Sequence, residues 1–403
     1  MSAPPLIRRI VLRNYKSIGK CDVALGRLTF VVGPNGAGKS NFLDAFRFVA
    51  DALRNSLDHA LRERGTIGEV RRRSGGHPNS LALQLTFTLP DGRAGEYGFE
   101  IAAEKDGGYR IRAEHCRLDS ADVLGPAHEY RVESGRITTS SVPTLPAVLP
   151  DRLLLVAASG LPAFRPVFDA LSRMEIYNIN PRAIAAMQAP DPGGVLRRDG
   201  ANAASVLRHL ADAPRQRIQA HLARIVPGIA DAAPRMFGTL ETIEFRQDVR
   251  GQEHPWRFPA ASMSDGTLRA FGILLAVLQA TAPRPGTAAP LLVGIEEPEL
   301  ALHPAALTVL LGALREATRH CQLLVTSHSP ELLDHPDIDA ETLLAVDAEG
   351  GTTELGPIDA AGRTMLRERL FTAGELLGQN QLARARPGEE EAAALDLLGT
   401  GAA

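Results

Sequence analysis

The chain has 403 residues, 44% hydrophobic and 23% charged, with a formal net charge of -3. These proportions are those of a water-soluble globular protein, with room for one large domain with insertions or about two to three ordinary ones. The near-neutral charge argues against a broad polyanion-binding surface and leaves only a local patch. Three cysteines (Cys21, Cys116, Cys321) lie far apart with no CxxC or Cys/His spacing, which excludes a disulfide framework and any familiar zinc pattern.

The start "MSAPPLIRRI" lacks the apolar core of a signal peptide, and no uninterrupted apolar run approaches the ~18 residues that span a bilayer. A cytoplasmic protein with no membrane partner is therefore expected. "LIRRIVLRNYKSIG" alternates and then breaks, which predicts an opening strand. "RLTFVV" predicts a second strand that leads into a glycine-rich loop. From Asn41 to about Leu61, apolar residues recur at helical spacing. An Arg- and Gly-rich loop, "RERGTIGEVRRRSGGHPNS", follows. Alternating segments from "LALQLTFTL" to "HEYRVES", separated by Asp-Gly and Gly-Gly, predict antiparallel hairpins. Between about Pro162 and Pro234 the texture is helical, most clearly in "ANAASVLRHLADAPRQRIQAHLARIV". Strand patterns return beyond Glu241. Then "PLLVGIEE", "CQLLVTSHS" and "ETLLAVDAE" read as buried strands separated by helices, the pattern of parallel βα units. The tail from Arg384 is expected to be loose. The domain reading is 1–165 and 240–365 as one discontinuous α/β unit, 166–239 as a protruding helical insertion, and 366–403 as a helical segment and tail.

The stretch "VVGPNGAGKSNFLDAF" fits GxxxxGK[ST] between a predicted strand and a predicted helix. Glycines let backbone N–H groups turn inward around phosphates, and the helix N-terminus adds a favourable dipole. Lys39 reaches between phosphate oxygens, and the Ser40 hydroxyl ligates Mg²⁺. The composition sharpens this reading. Lysine occurs only at 16, 20, 39 and 105, and the other cations are arginine. A chain that so rarely uses lysine has one where a narrow ammonium fits and a planar guanidinium would crowd the loop.

A phosphate loop that supports hydrolysis needs acids on a neighbouring strand. "LLVGIEEPELALHP" supplies Glu296, suited to hold Mg²⁺ directly or through water, and Glu297, suited to orient or deprotonate the attacking water. "SMSDGTLRAFGILLAVL" places Ser264 to Thr267 at the start of an apolar helix, a fitting end for a γ-phosphate. "LLVTSHSPELL" ends a strand in His328, which can reach the γ-phosphate or the water.

This motif order resembles the ATP-binding-cassette (ABC) ATPase heads of the SMC, RecF and OLD-like branch, and more narrowly its stand-alone AAA-family predicted ATPases. "LRNYKSI", "EEPELALHP", "LRRDGANAASVLRHL" and "LFTAGELLGQNQL" carry the resemblance, which spans about residues 5 to 385. It implies an α/β P-loop NTPase with an antiparallel β lobe, a mainly parallel core sheet and a short helical insertion. It also implies that Gly33, Asn35, Gly36, Gly38, Lys39, Ser40 and Asn41 hold the nucleotide, with Arg13, Asn14 and Lys16 nearby. Ser40 and Glu296 then take the metal, Glu297 is the catalytic base, and His328 is the switch. Ser264 and Gly266 act on the nucleotide of a second subunit. Three departures stand out. Glu296 replaces the usual aspartate. Asp265 replaces the second signature residue, usually a glycine. The Q-loop amide lies either at Gln84 or in "IYNINP". No long heptad insertion is present, and no acidic nuclease domain is expected after His328.

The resemblance implies a Mg²⁺-dependent ATPase that dimerises around ATP and serves a DNA transaction or a partner effector in repair or anti-phage defence. A scaffold of a toxin or nuclease complex with little turnover, and the energy subunit of a membrane transporter, are the alternatives. The steric reading of position 39 carries its own test. Lys39→Ala should abolish or nearly abolish nucleotide binding, and Lys39→Arg should fail to restore activity. Wild-type-like ATP turnover by the arginine variant would sink the argument.

Overall fold

The computed structural model describes residues 6–73, 78–122, 125–281, 289–336 and 338–385. The expected loose tail beyond Ala385 and the Ser74–Gly76 end of the arginine-rich loop lie outside them. Strands β1 (Leu6–Tyr15) and β2 (Ile18–Ala24) pair antiparallel, and β3 (Leu28–Val32) runs straight into the glycine loop. A meander of β4 (Ser80–Thr88), β5 (Ala94–Ala103), β6 (Tyr109–Leu118), β7 (His128–Glu133) and β8 (Arg136–Ser140) continues from β1, each strand antiparallel to its neighbour. The predicted hairpins are therefore present.

The short strand β9 (Met174–Tyr177) comes next in the chain. Strands β10 (Ile229–Phe237), β11 (Leu240–Gln247) and β12 (Trp256–Pro259) form a separate antiparallel sheet of three. The three buried runs become β13 (Leu292–Glu296), β14 (Gln322–Ser327) and β15 (Leu343–Glu349), and β16 (Thr352–Pro357) returns antiparallel beside β15. The main sheet has 13 strands in the order β8-β7-β6-β5-β4-β1-β2-β16-β15-β3-β14-β13-β9. Within it β15, β3, β14, β13 and β9 are parallel neighbours.

Alternation along the parallel strands explains why both faces are covered. Val31, Leu324 and Leu292 pack into one core with the helix Lys39–Arg54. Phe30, Val32, Leu323, Val325, Val293 and Ile295 pack into the other, with the helices Asp265–Leu278 and Pro304–Ala317. Phe42, Phe46 and Phe48 of the first helix are fully buried, each worth roughly 1.5–3 kcal/mol of transfer free energy. The helix expected to reach Leu61 stops at Arg54. Ser56 then accepts from the His59 N–H and starts a new helix, Leu57–Arg62.

The expected domain limits do not follow the observed elements. Segment 166–239 is not simply a protruding helical insertion. Its β9 pairs parallel with β13 at the edge of the main sheet, and its β10 forms a hairpin with β11 across the 239/240 limit. Four residues, Met174 to Tyr177, one of them the charged Glu175, are too short a run for strand periodicity to stand out in the sequence.

One ion cluster ties the helix after the glycine loop to the opening hairpin. Asp44 accepts from the Tyr15 hydroxyl and from two nitrogens of Arg64, and it pairs with Lys16. Burial alone would push the Asp44 carboxyl up, but the hydrogen bonds and charge of Arg64, with Lys16, hold it at about 2. A folded-state value below the ordinary 3.8 stabilises the fold at neutral pH, and the contribution is lost as pH falls through about 2. Asp44→Asn should therefore lower the unfolding free energy by about 2–3 kcal/mol at pH 7. The deficit should shrink between about pH 4 and pH 2, as urea unfolding at a series of pH values would record.

Candidate active site

The glycine loop leaves the end of β3 and is fixed by what stands behind it. A Cβ at Gly38, where φ is 103°, would overlap Thr353 Oγ1, and one at Gly33 would overlap the Val346 carbonyl. Thr353 Oγ1 donates to the Ala37 carbonyl (2.8 Å) and lies 2.7 Å from Ser17 Oγ, which in turn accepts from Asn41 Nδ2 (2.7 Å). Asn41 thus faces the scaffold. Ser17, within "LRNYKSI" at the β1–β2 turn, and Thr353 of β16 hold the loop in shape, and no motif pointed to Thr353.

Lys39 is buried, and its ammonium donates to the carbonyls of Gly33 (2.8 Å) and Pro34 (2.9 Å). Burial lowers its pKa, against the raising charges of Glu297 and Glu299. Ser40, Asn35 and Gly36 are exposed beside it. Of the residues expected nearby, Lys16 is committed to Asp44, and Asn14 Nδ2 donates to the Ser80 carbonyl. Both adopt left-handed backbone at the turn, while Arg13 lies within β1 opposite Lys20 and Ala82.

The acidic turn at the end of β13 is strained and held. Glu297 has φ 45°, costly for a residue with a Cβ. Its N–H donates to the carbonyl and to the hydroxyl of Thr326, both at 3.1 Å. Arg269, buried in the helix Asp265–Leu278, donates to the carbonyls of Ile179 (3.0 Å), Glu296 (3.3 Å) and Glu297 (3.1 Å). Burial lowers its pKa against the charges of the three glutamates at 296, 297 and 299. An arginine inside the run "TLRAFGILLAVL" was the available signal, because a buried guanidinium must find acceptors.

Glu297 Oε1 stands 3.3 Å from His328 Nδ1, an ion-pairing distance without the alignment of a strong hydrogen bond. A third acid, Glu299, completes this cluster and was not singled out in the sequence. Its Oε1 accepts from Ser327 Oγ (2.7 Å) and the His328 N–H (3.2 Å), while its buried Oε2 has no partner. Burial raises its pKa, with Ser327 and His328 opposing.

Glu296 points elsewhere. Its side chain is buried, with Oε1 accepting from Arg198 (2.7 Å) and Oε2 lying 3.5 Å from Asn178 Nδ2. Of the two amide candidates, "IYNINP" therefore reaches the acid, while Gln84 sits in β4 opposite Val11 and Gly98. Ser264 caps the helix Asp265–Leu278 by accepting from the Thr267 N–H, and both Ser264 and Asp265 are exposed. Gly266 packs against the Ala301 carbonyl, where a Cβ would overlap.

Among the described residues, no group of three or more His, Cys, Asp or Glu could hold a metal by itself. One hydroxyl and one buried carboxylate, completed by phosphate oxygens, is a hard-oxygen set that suits Mg²⁺. The residues fit the ion on that basis. Arginines 71 to 73 are already engaged, with the Pro78 carbonyl, Thr352 and Glu69 respectively. Among the described residues, no helix is long and apolar enough to cross a membrane.

The loop's support makes a prediction. Thr353→Val strands the Ala37 carbonyl and frees Ser17, so nucleotide affinity should fall by about tenfold with Lys39 untouched. Titration calorimetry with an ATP analogue would measure it, and unchanged affinity would mean that the loop keeps its shape without this bond.

A family model described as "AAA domain, putative AbiEii toxin, Type IV TA system" matches residues 28–123 and 198–334, more than half of the chain. The chain is 28% identical over 147 residues to Structural maintenance of chromosomes protein 1 of Schizosaccharomyces pombe, covering 32% of this chain and 12% of that protein. It is 40% identical over 86 residues to Chromosome partition protein Smc of Burkholderia pseudomallei, covering 20% and 7%. The matched segments are thus about a tenth of the length of these curated relatives. A solved SMC head bound to the C-winged helix domain of ScpA aligns with TM-score 0.54 at 15% identity, over 89% of this chain and 99% of that one. A Pyrococcus furiosus SMC head with an extended coiled coil, bound to the C-terminal domain of ScpA, aligns with TM-score 0.54 at 14% identity, over 91% and 99%. At such identities the likeness is one of fold. The chain belongs to this AAA-domain family and has the fold of an SMC-like ABC-type ATPase head.

Proposed function

We propose that the protein is a Mg²⁺-dependent ATP hydrolase whose two nucleotide sites form between two copies of the chain. The observation that carries the reading is the convergence of Lys39, Glu297, Glu299 and His328 beside the glycine loop. In this reading the loop's inward N–H groups cradle the phosphates, and the Lys39 ammonium exchanges the Gly33 and Pro34 carbonyls for phosphate oxygens. Ser40 and Glu296 would hold the Mg²⁺, which when bound would supply positive charge against the phosphate oxygens. Glu297 orients or deprotonates the attacking water, and His328, held at its backbone by Glu299, contacts the water or the γ-phosphate.

The exposed position of Ser264, whose hydroxyl caps a helix N-terminus, supports a role toward a nucleotide carried by a second subunit. The solved heads described above are bound to ScpA domains, and by analogy this head carries a partner effector of its own. The toxin system named in the family description favours an effector in anti-phage or toxin-type defence over a general repair role. A DNA role rests on analogy with the chromosome-maintenance relatives, because the arginine run is spent within the fold.

Neutralising Glu297 should spare affinity and remove turnover, because its carboxylate acts on water. Glu297→Gln is therefore expected to accumulate as an ATP-bound dimer, and adding Ser264→Arg should return it to monomer with ATP still bound. Size exclusion with light scattering in Mg²⁺-ATP reads both. A Glu297→Gln protein that stays monomeric at saturating ATP, with hydrolysis intact, would remove the mechanism and favour an ATP-binding scaffold.

A further inference from the structure

The Glu296 carboxylate already has a cation, and that cation comes from the "LRRDG" stretch, far in sequence from the glycine loop, the acidic strand and the strand-end histidine. Arg198 Nη2 donates to Glu296 Oε1 at 2.7 Å, from a side chain that is 40% exposed onto one that is 9% exposed. The other buried cation at this turn, Arg269, gives its donors to backbone carbonyls. Arg198 is therefore the cation hydrogen-bonded to the Glu296 carboxylate itself, beside the nearby charge of Arg269, and it offsets a burial that would otherwise be costly.

Its own position is built. The chain leaves β9 at Tyr177 and pairs with the segment that carries Arg198. The Asn178 N–H donates to the Arg198 carbonyl and the Asn180 N–H to the Asp199 carbonyl, both at 3.0 Å. Asn202 clamps the base of the same segment, accepting from the Arg197 N–H (2.7 Å) and donating to the Val195 carbonyl (3.0 Å). Asn178 brings the second polar contact to Glu296. Two stretches about twenty residues apart thus form one strap, and its Asn178 and Arg198 side chains end on the same carboxylate.

We propose that Arg198 is a latch on Glu296: a positioning residue that neutralises the carboxylate until a divalent cation displaces it, so that metal binding frees the strap of residues 178–199. This rests on the metal-binding reading of Glu296. A guanidinium and a divalent cation repel each other across one carboxylate, so the two compete for it. The long, half-exposed arginine side chain can swing into solvent, whereas Glu296 cannot. The metal step is thereby linked to the segment that joins β9 to the helices packed under Asp265–Leu278.

The test is binding of Mn²⁺, followed by electron paramagnetic resonance in the presence of a non-hydrolysable ATP analogue, to the full chain and to Arg198→Gln, Glu296→Gln and the double variant. Arg198→Gln should tighten Mn²⁺ binding by about three- to fivefold, the size of one partly exposed charge pair. The gain should vanish in the Glu296→Gln background. Hydrogen exchange in residues 178–199 should rise in the wild type when metal and analogue are added, and should already be raised in Arg198→Gln. Unchanged or weaker Mn²⁺ binding by Arg198→Gln, with Glu296→Gln still weakening it, overturns the latch and leaves the metal site standing. Glu296→Gln with unaltered Mn²⁺ affinity removes the metal reading and the latch with it.

Discussion

Everything at the site depends on the register of three parallel strands. Thr326 of β14 pairs with Glu296 of β13 on one side and Val31 of β3 on the other, and Ser327 pairs with Val32. Parallel strands point the same way, so the segments that follow them emerge at one edge of the sheet. The glycine loop, His328 and the Glu297 turn are therefore brought together by backbone pairing before any side chain acts. A slip of one residue in β14 would turn His328 and Thr326 to the wrong faces. Thr326 makes the register visible in another way, since both its carbonyl and its hydroxyl hold the N–H of the strained Glu297.

The buried charges divide into two kinds. Glu114 lies fully inside the antiparallel arm, where it accepts from the Tyr97 and Tyr130 hydroxyls and the N–H groups of Leu154 and Leu155. With its acceptors occupied, it joins strands to a helix start and has nothing left to offer a ligand. Glu299, equally buried, keeps one oxygen without a partner and shares the neighbourhood of Lys39 and His328. Unfinished hydrogen bonding of this sort is tolerated where chemistry is to be done and avoided elsewhere. Asp44 shows the structural solution again: a carboxylate saturated by Arg64, Lys16 and Tyr15 that anchors the helix beginning at Lys39.

The region between the two halves of the ATPase core is sewn into them. β9 closes the edge of the main sheet, β10 pairs with β11, and the helix Asp212–Ile225 packs beside Asp265–Leu278 and Pro304–Ala317. Glu296 and Ser264 both adjoin this region, through the strap at Arg198 and through the helix Asp265–Leu278.

The sequence by itself determined the strand–glycine loop–helix order, the strand that ends in the paired glutamates, the strand that ends at His328 and the hairpin arm. These signals are local: glycines at fixed offsets, apolar runs bounded by turns, and a lysine in a chain of arginines. The split between 166–239 and its surroundings was not legible, because β9 has four residues and its partner lies more than a hundred positions away. Only the tertiary structure decided which polar residues serve the site and which serve the scaffold. Asn41 and Lys16, beside the motif, turn to Ser17 and Asp44. Arg198, Arg269, Glu299 and Thr353, scattered along the chain, converge on the loop and the acidic turn. The reason is physical. A buried charge is satisfied by whichever donors the packing brings within about 3 Å, and that neighbourhood is a property of the assembled sheet.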